Sequence, residues 1–329
     1  MSSQPLFLNR RTLLQMGLAG LGVAGAAIAL PQVLKKPKFT AAKIPDFSPN
    51  EAQSTGNDFN PMAVLRDFDY GTVKKENGRI IREYRLVANT TEIKLNNAVT
   101  FNSWNVNKRV PGPTLRATEG DRLRIIFLNQ AGHPHSLHFH GIHPSEMDGV
   151  KPIRHDTATI YEFDAEPFGV HLYHCHIEPV TRHINKGLYG MFIIDPPKPR
   201  PPADEMVLIM AGYDVNDDGK NELYAFNGLP DYYMHHPIKI YQNQLIRAYV
   251  LNMIEFEAAA TFHLHANMFQ VYPTGRTLTP TQETDVITMG TAERHILEFS
   301  FRYPGRYMFH PHQDNIAENG CMGNFDVIV

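Results

Sequence analysis

Histidine spacing constrains this chain more than any other feature. Among 17 histidines in 329 residues, five pairs stand two apart: His133 with His135, His138 with His140, His174 with His176, His263 with His265, and His310 with His312. Multiplying frequencies gives roughly one such pair by chance. Residues two apart on a strand point to one face, so each pair sets two imidazoles side by side. A buried structural histidine explains any one of them alone. Eight imidazoles at matched places require a metal or extensive hydrogen bonding.

The pairs belong to a plan that both halves repeat. The first half has Val110-Pro111-Gly112-Pro113-Thr114, then Glu119-Gly120-Asp121, Asn129, and the pair His138/His140. The second has Phe226-Asn227-Gly228, then Pro237 to Tyr241 with Gln244, Asn252, and the pair His263/His265. Each half closes on a further pair, His174/His176 and His310/His312, so a duplicated module is the economical account. From residue 80 onward, short alternating or apolar runs at 81–87, 123–128, 159–163, 190–194 and 246–251 read as strands at β-sandwich spacing. No long amphipathic helical period is present. The class is therefore all-β. Residues 195–202 carry five prolines. They cannot continue a sheet and form a stiff linker, so the domains are expected at 61–196 and 197–329.

The amino terminus reads separately. Asn9-Arg10-Arg11-Thr12-Leu13-Leu14 precedes an apolar, Gly- and Ala-rich run over 16–30, which resembles a twin-arginine export signal across residues 1–34. A membrane anchor is the alternative, although the run is short and glycine-rich for a span. Cleavage after Ala27-Ile28-Ala29 or retention of the segment both fit. Residues 35–60, rich in Pro, Ser and Asn, read as a tether. The expected location is the periplasm or the outer side of the membrane, with membrane contact only through a retained signal. A net charge of -3 offers no footprint for nucleic acid or an anionic membrane surface.

The kind of metal follows from Cys175, between His174 and His176 and upstream of His183. A thiolate with two imidazoles is the donor set of a blue copper site, while zinc also accepts Cys and His. Strand alternation sends Cys175 to one side and both flanking histidines to the other, so one tripeptide serves two sites through a short covalent path. Cys321, the other cysteine, reads as a small buried thiol. The run Asp214-Val215-Asn216-Asp217-Asp218-Gly219 starts like a calcium loop, but Ala225 stands where the bidentate glutamate belongs, and a hydrated turn is the better reading.

The segments His135-Ser136-Leu137-His138-Phe139-His140-Gly141 and His174-Cys175-His176 resemble the signatures of multicopper oxidases, and the resemblance covers the chain beyond the tether. It is similar to the small, laccase-like two-domain members. The resemblance implies two cupredoxin-like Greek-key sandwiches and four coppers per chain. Type 1 copper is then held by His135, Cys175 and His183. Types 2 and 3 are held by His138, His140, His174, His176, His263, His265, His310 and His312. Pro311 and Ala260 replace the second domain's cysteine and first histidine, so only the first domain is expected to carry type 1 copper. Family spacing puts Leu188 in the axial type 1 position, with Met191 as the alternative, and a noncoordinating leucine raises the potential. Asp148 resembles the carboxylate near the cluster. It acts as proton relay or orienting group, or is a plain turn residue before Gly149.

The activity implied is one-electron oxidation of a phenol, aromatic amine or metal ion, coupled to reduction of dioxygen to water. The electrons are expected to come in at an exposed edge of His183. Two-domain relatives close head to tail as homotrimers, with each cluster between domain one and the next subunit's domain two. Two rival readings remain. Copper nitrite reductases carry an aspartate where this chain has His138. A noncatalytic copper-binding scaffold would be expected to have lost ligands.

Overall fold

The computed structural model describes residues 59–329. The signal and most of the tether lie outside them. The first sandwich faces two sheets together. One orders the strands Thr72–Glu76, Arg79–Lys94, Arg122–Asn129 and Thr157–Asp164, with Thr100–Val106 on the far half of Arg79–Lys94. The other orders Phe68–Asp69, Thr114–Thr118, Tyr189–Asp195, Gly169–His174 and His138–Phe139. In the second sandwich, Leu223–Phe226, Asp204–Tyr213, Ile246–Met253, Arg294–Phe299, Phe269–Pro273 and Gln282–Thr284 face Ile238–Tyr241, Gly323–Ile328, Gly305–His310, Ala260–Leu264 and Val286–Met289.

The internal repeat reappears as register. His138 pairs across from His174 on antiparallel strands, and His263 pairs across from His310 in the same way. The class is all-β, as the alternating runs imply. The helices are single turns or little more, and no described helix is long and apolar enough to cross a membrane.

Three apolar clusters hold these sheets. The first sandwich encloses Tyr84, Leu86, Leu123, Phe127, Phe139 and Phe192, and the second encloses Met206, Leu208, Val250, Phe262, Phe309 and Phe325. A third cluster lies between the sandwiches, where Val170, Leu172, Met191 and Ile193 meet Val207, Ile209, Tyr249 and Leu251. Strand alternation explains how one segment serves two clusters. In Asp204–Tyr213, Met206, Leu208 and Met210 turn into the second core, while Val207, Ile209 and Ala211 turn toward the first sandwich. A strand covered on both faces becomes a continuous apolar run. Burying each such side chain is worth about 1.5–3 kcal/mol, so this face is a structural joint.

Charge reinforces the joint beside the proline-rich linker. Buried Arg116 pairs with Asp195 at 2.7 Å on one side of the linker and with Glu205 at 2.7 Å on the other. Glu205 is shared with Arg247, which also holds Glu298. Burial opposes the Arg116 charge, but the two carboxylates hold its pKa above the ordinary value.

The segment at 61–66 departs from its expected place in the first domain. Leu65 fills the second core, Val207 N–H donates to the Leu65 carbonyl at 2.9 Å, and Arg66 pairs with Asp204 at 2.6 Å. An apolar side chain and an available strand donor on the second sandwich decide where this stretch packs, so the first sandwich begins at Phe68.

Candidate metal centres

The first centre is built from a strand end and a short helix. His135 is fixed by a two-way backbone bridge with Ile153, at 3.1 and 2.9 Å. His183 lies on the helix Val180–Asn185. Between them, Cys175 N–H donates to the Leu188 carbonyl at 3.0 Å. Cys175 Sγ lies 3.1 Å from His183 Nδ1 and 3.7 Å from His135 Nδ1, and the two Nδ1 atoms are 3.1 Å apart. Two imidazole nitrogens and a sulfur converging in a buried space fit a thiolate-imidazole metal site. Burial, with His183 and His133 nearby, pushes His135 down to about 3, and burial with His133 and Arg182 pushes His183 to about 4. Both rings are therefore neutral donors at neutral pH. Burial raises the Cys175 thiol, so metal binding must displace its proton.

Leu188 and Met191 separate cleanly. Leu188 packs in the same cluster as Cys175, whereas Met191 belongs to the cluster between the sandwiches. His183 is 5% exposed as a whole residue, with its Nδ1 turned to the Cys175 sulfur. The rings of Trp104 and His135 pack against the His183 ring, at 4.9 and 5.0 Å between centroids.

The residues flanking Cys175 reach a second group. His174 Nε2 faces His140 Nε2 at 2.8 Å, and His138 stacks on His176 at 4.7 Å between centroids. A carbonyl only accepts, so a ring nitrogen bonded to one must carry the proton. His174 Nδ1 donates to the Cys175 carbonyl at 2.8 Å, and His138 and His176 Nδ1 donate to the Asp148 carbonyl at 3.0 and 3.3 Å. The Nε2 atoms are left as bare lone pairs, the orienting pattern that metal-binding histidines use. Burial lowers His138, and pushes His140 to about 3 and His174 to about 4.

The second sandwich carries the matching group. His265 Nε2 faces His310 Nε2 at 2.9 Å, His310 Nδ1 donates to the Pro311 carbonyl at 2.7 Å, and His263 Nδ1 donates to the Asp285 carbonyl at 2.9 Å. The His312 ring lies 5.4 Å from that of His263, tilted by 49°. His265 and His312 are exposed. Among the described residues, no hydrogen bond or ring contact joins the two histidine groups. Each is a half-shell of four imidazoles with its donor atoms free.

Two residues escaped the sequence reading. Asp285 holds His263 as Asp148 holds His138, and aligning the two halves beyond the histidine pairs would have found it. His143 lies 3.2 Å from His138 Nδ1 and 3.5 Å from the Asp148 carboxylate. Its spacing matches no pair. Asp148 Oδ1 is 3.1 Å from His138 Nδ1, on the side of the ring away from the free Nε2. This contact fits orientation of the ring. Cys321 is fully buried and free. Asp214, Asp218 and Glu222 lie close together, but the Asp214 carboxylate accepts from the backbone N–H groups of Asp218 and Gly219, as in a turn.

Comparison with known proteins agrees with this geometry. Two signatures described as multicopper oxidase match residues 87–199 and 199–329. A crystal structure of a multicopper oxidase is 47% identical and superposes with a TM-score of 0.81, covering 82% of this chain and 97% of that one. The copper nitrite reductase of Nitrosomonas europaea is 26% identical with a TM-score of 0.71, over 75% of this chain and 94% of that one. The copper-containing nitrite reductase of Neisseria meningitidis is 27% identical over 260 residues, which is 71% of this chain and 66% of that protein. Cupredoxin-like sandwiches, converging donors and these matches together establish that this chain is a copper oxidoreductase belonging to the multicopper oxidase family, in a two-domain form.

Proposed function

We propose that the protein is a laccase-like oxidase that takes single electrons from a phenol, aromatic amine or metal ion and reduces dioxygen to water, using four coppers per chain. The observation that carries this reading is the matched pair of four-histidine half-shells. Together they provide eight imidazoles, the complement expected for a cluster of three metals. Copper, when bound, supplies a one-electron acceptor at Cys175 and a multi-electron site among the histidines. The chain's own part is geometric. His135, Cys175 and His183, all three buried, would gather one ion between them. The tripeptide His174-Cys175-His176 links that pocket to the half-shell through a covalent path and through the His174 hydrogen bond to the Cys175 carbonyl. Asp148 orients His138, and its carboxylate is 37% exposed, a position suited to passing protons from solvent.

The two half-shells remain apart within one chain, and one of them is solvent-exposed. This supports a closed homotrimer in which the second sandwich of one subunit covers the first of its neighbour. The twin-arginine segment supports export of the folded protein to the periplasm or the outer face of the membrane. Likeness to nitrite reductases keeps nitrite as the competing acceptor. His138, where that family carries an aspartate, favours dioxygen.

One experiment separates the readings. Purified, copper-loaded protein is assayed for metal content, mass in solution, visible spectrum and oxygen uptake with a phenolic donor. Four coppers per chain, a trimer, an intense blue band lost in Cys175→Ser, and oxygen consumption are expected. Two coppers per chain with nitrite turnover and no oxygen uptake would assign the protein to nitrite reduction. A monomer holding its full copper load would overturn the shared cluster.

A further inference from the structure

Two of the three donors at the Cys175 site are fixed from within the first sandwich, His135 by its bridge to Ile153 and Cys175 by its N–H to the Leu188 carbonyl. His183 is held differently. Its own N–H and carbonyl bond only within the segment, to the Pro179 carbonyl at 3.3 Å and from the Leu188 N–H at 3.2 Å. The firm anchor of the helix Val180–Asn185 is its last residue. Asn185 is 5% exposed, and every polar atom of its amide turns to the second sandwich. Nδ2 donates to Asn221 Oδ1 at 2.7 Å and to the Gly212 carbonyl at 3.3 Å, and Oδ1 accepts from the Asp214 N–H at 3.0 Å. Asn221 is held in turn, since its Nδ2 donates to the Glu255 carbonyl at 2.7 Å. Its amide lies so close to Gly212 that a Cβ there would come within 2.5 Å of it. Around this buried contact, Arg182 and Lys186 pair with Asp217 at 3.3 and 3.0 Å. The Asp217 carboxylate is exposed, and such pairs contribute little, so the matched amide carries the joint.

We propose that Asn185 is a positioning residue for the Cys175 site: through it the second sandwich sets how firmly the His183 imidazole is held against the sulfur, 3.1 Å from its Nδ1. A helix of six residues does not hold its own shape, because nucleating so few turns is unfavourable without packing. Removing the Asn185 amide frees the end of the segment that carries His183, and leaves the Gly212 carbonyl and the Asp214 N–H without their partner. Binding a metal must then order a loose limb as well as form the bond, so copper is held less tightly. The thiolate suits copper(I), while copper(II) depends more on the imidazole, so a loosened His183 raises the reduction potential. The proposal rests on the copper reading of the Cys175 site and is independent of the terminal acceptor. It makes the second sandwich part of a metal site whose donors all belong to the first.

The test follows loss of the blue band when copper-loaded, full-length protein is mixed with a competing chelator. Asn185→Ala is expected to lose the band about tenfold faster than the parent, the scale seen when an orienting partner is removed, and to titrate at a higher reduction potential. Asn221→Ala removes the partner from the second sandwich without touching the helix, and should move both readings in the same direction by less. A third reading needs no metal. In the metal-free protein, the amides of Lys186, Gly187 and Leu188 should exchange with deuterium faster in Asn185→Ala, while those of His135 and Ile153 keep the parent rate. Copper release at the parent rate, or a potential that does not rise, overturns the proposal. Exchange that quickens equally at both places also overturns it, because that pattern marks loss of overall stability. If Asn185→Ala does not fold, Asn221→Ala decides: faster release with a raised potential supports positioning, and parent values overturn it. Failure of the parent protein to form any blue band would instead overturn the copper reading on which the role of Asn185 rests.

Discussion

At the scale of single residues, function depends on which atom of a side chain is left free. The carbonyls of Cys175, Pro311, Asp148 and Asp285 take the Nδ1 protons of the histidines and leave Nε2 for metal. These partners are main-chain groups, so no residue type in the sequence signals them. Asp148 was singled out for its carboxylate, yet its carbonyl is what two histidines share. Leu188 carries the prediction at this scale. It packs beside Cys175 and contributes no donor atom. Leu188→Met would supply a weak axial sulfur and lower the reduction potential of the blue site, because the axial ligand sets that potential. A redox titration followed at the visible band checks it, and a raised or unchanged potential would show that residue 188 does not face the metal.

Among the elements, the loop after the first histidine pair sets the half-shell. Gly149 has φ +81° and packs against the backbone of Leu137, so a Cβ there would collide with the Leu137 carbonyl. Only glycine allows residues 147–149 to pass close enough for the Asp148 carbonyl to reach His138. Gly149→Ala should push that carbonyl away and weaken copper binding at the half-shell by roughly 10–100-fold, the usual cost of losing an orienting partner. Copper titration against a competing chelator measures it, with the blue band as a control for the intact Cys175 site. The strands themselves were legible, because alternation and turn residues mark them. What alternation left open was which face meets which core. The strand Tyr189–Asp195 shows the consequence: Phe192 and Ile194 enter the first core, while Met191 and Ile193 enter the joint with the second sandwich. By that partition Met191 packs in the joint rather than in the core cluster of Cys175.

For the molecule as a whole, the buried imidazoles make stability depend on pH. His135 and His140 are held near 3, and His174 and His183 near 4, below their ordinary 6.5. A ring with a depressed folded pKa takes up its proton first in the unfolded chain. Its contribution is complete above about 6.5 and is lost as pH falls toward the folded values. The metal-free protein should therefore show a falling melting temperature from pH 6.5 to pH 4, and substitution of His135 or His140 by an apolar residue should flatten that slope. A melting temperature independent of pH over this window would contradict burial of neutral rings. By itself, the sequence determined the all-β class, the duplication, the liganding residue types and the copper family, because each is carried by local spacing: imidazoles two positions apart, a cysteine between two histidines, strands between turns. Tertiary structure alone decided the packing of Trp104 against His183, the carbonyls that fix His138, His174, His176, His263 and His310, the packing of residues 61–66 on the second sandwich and the separation of the two half-shells. Those depend on contacts between residues far apart in the chain, which local spacing does not encode.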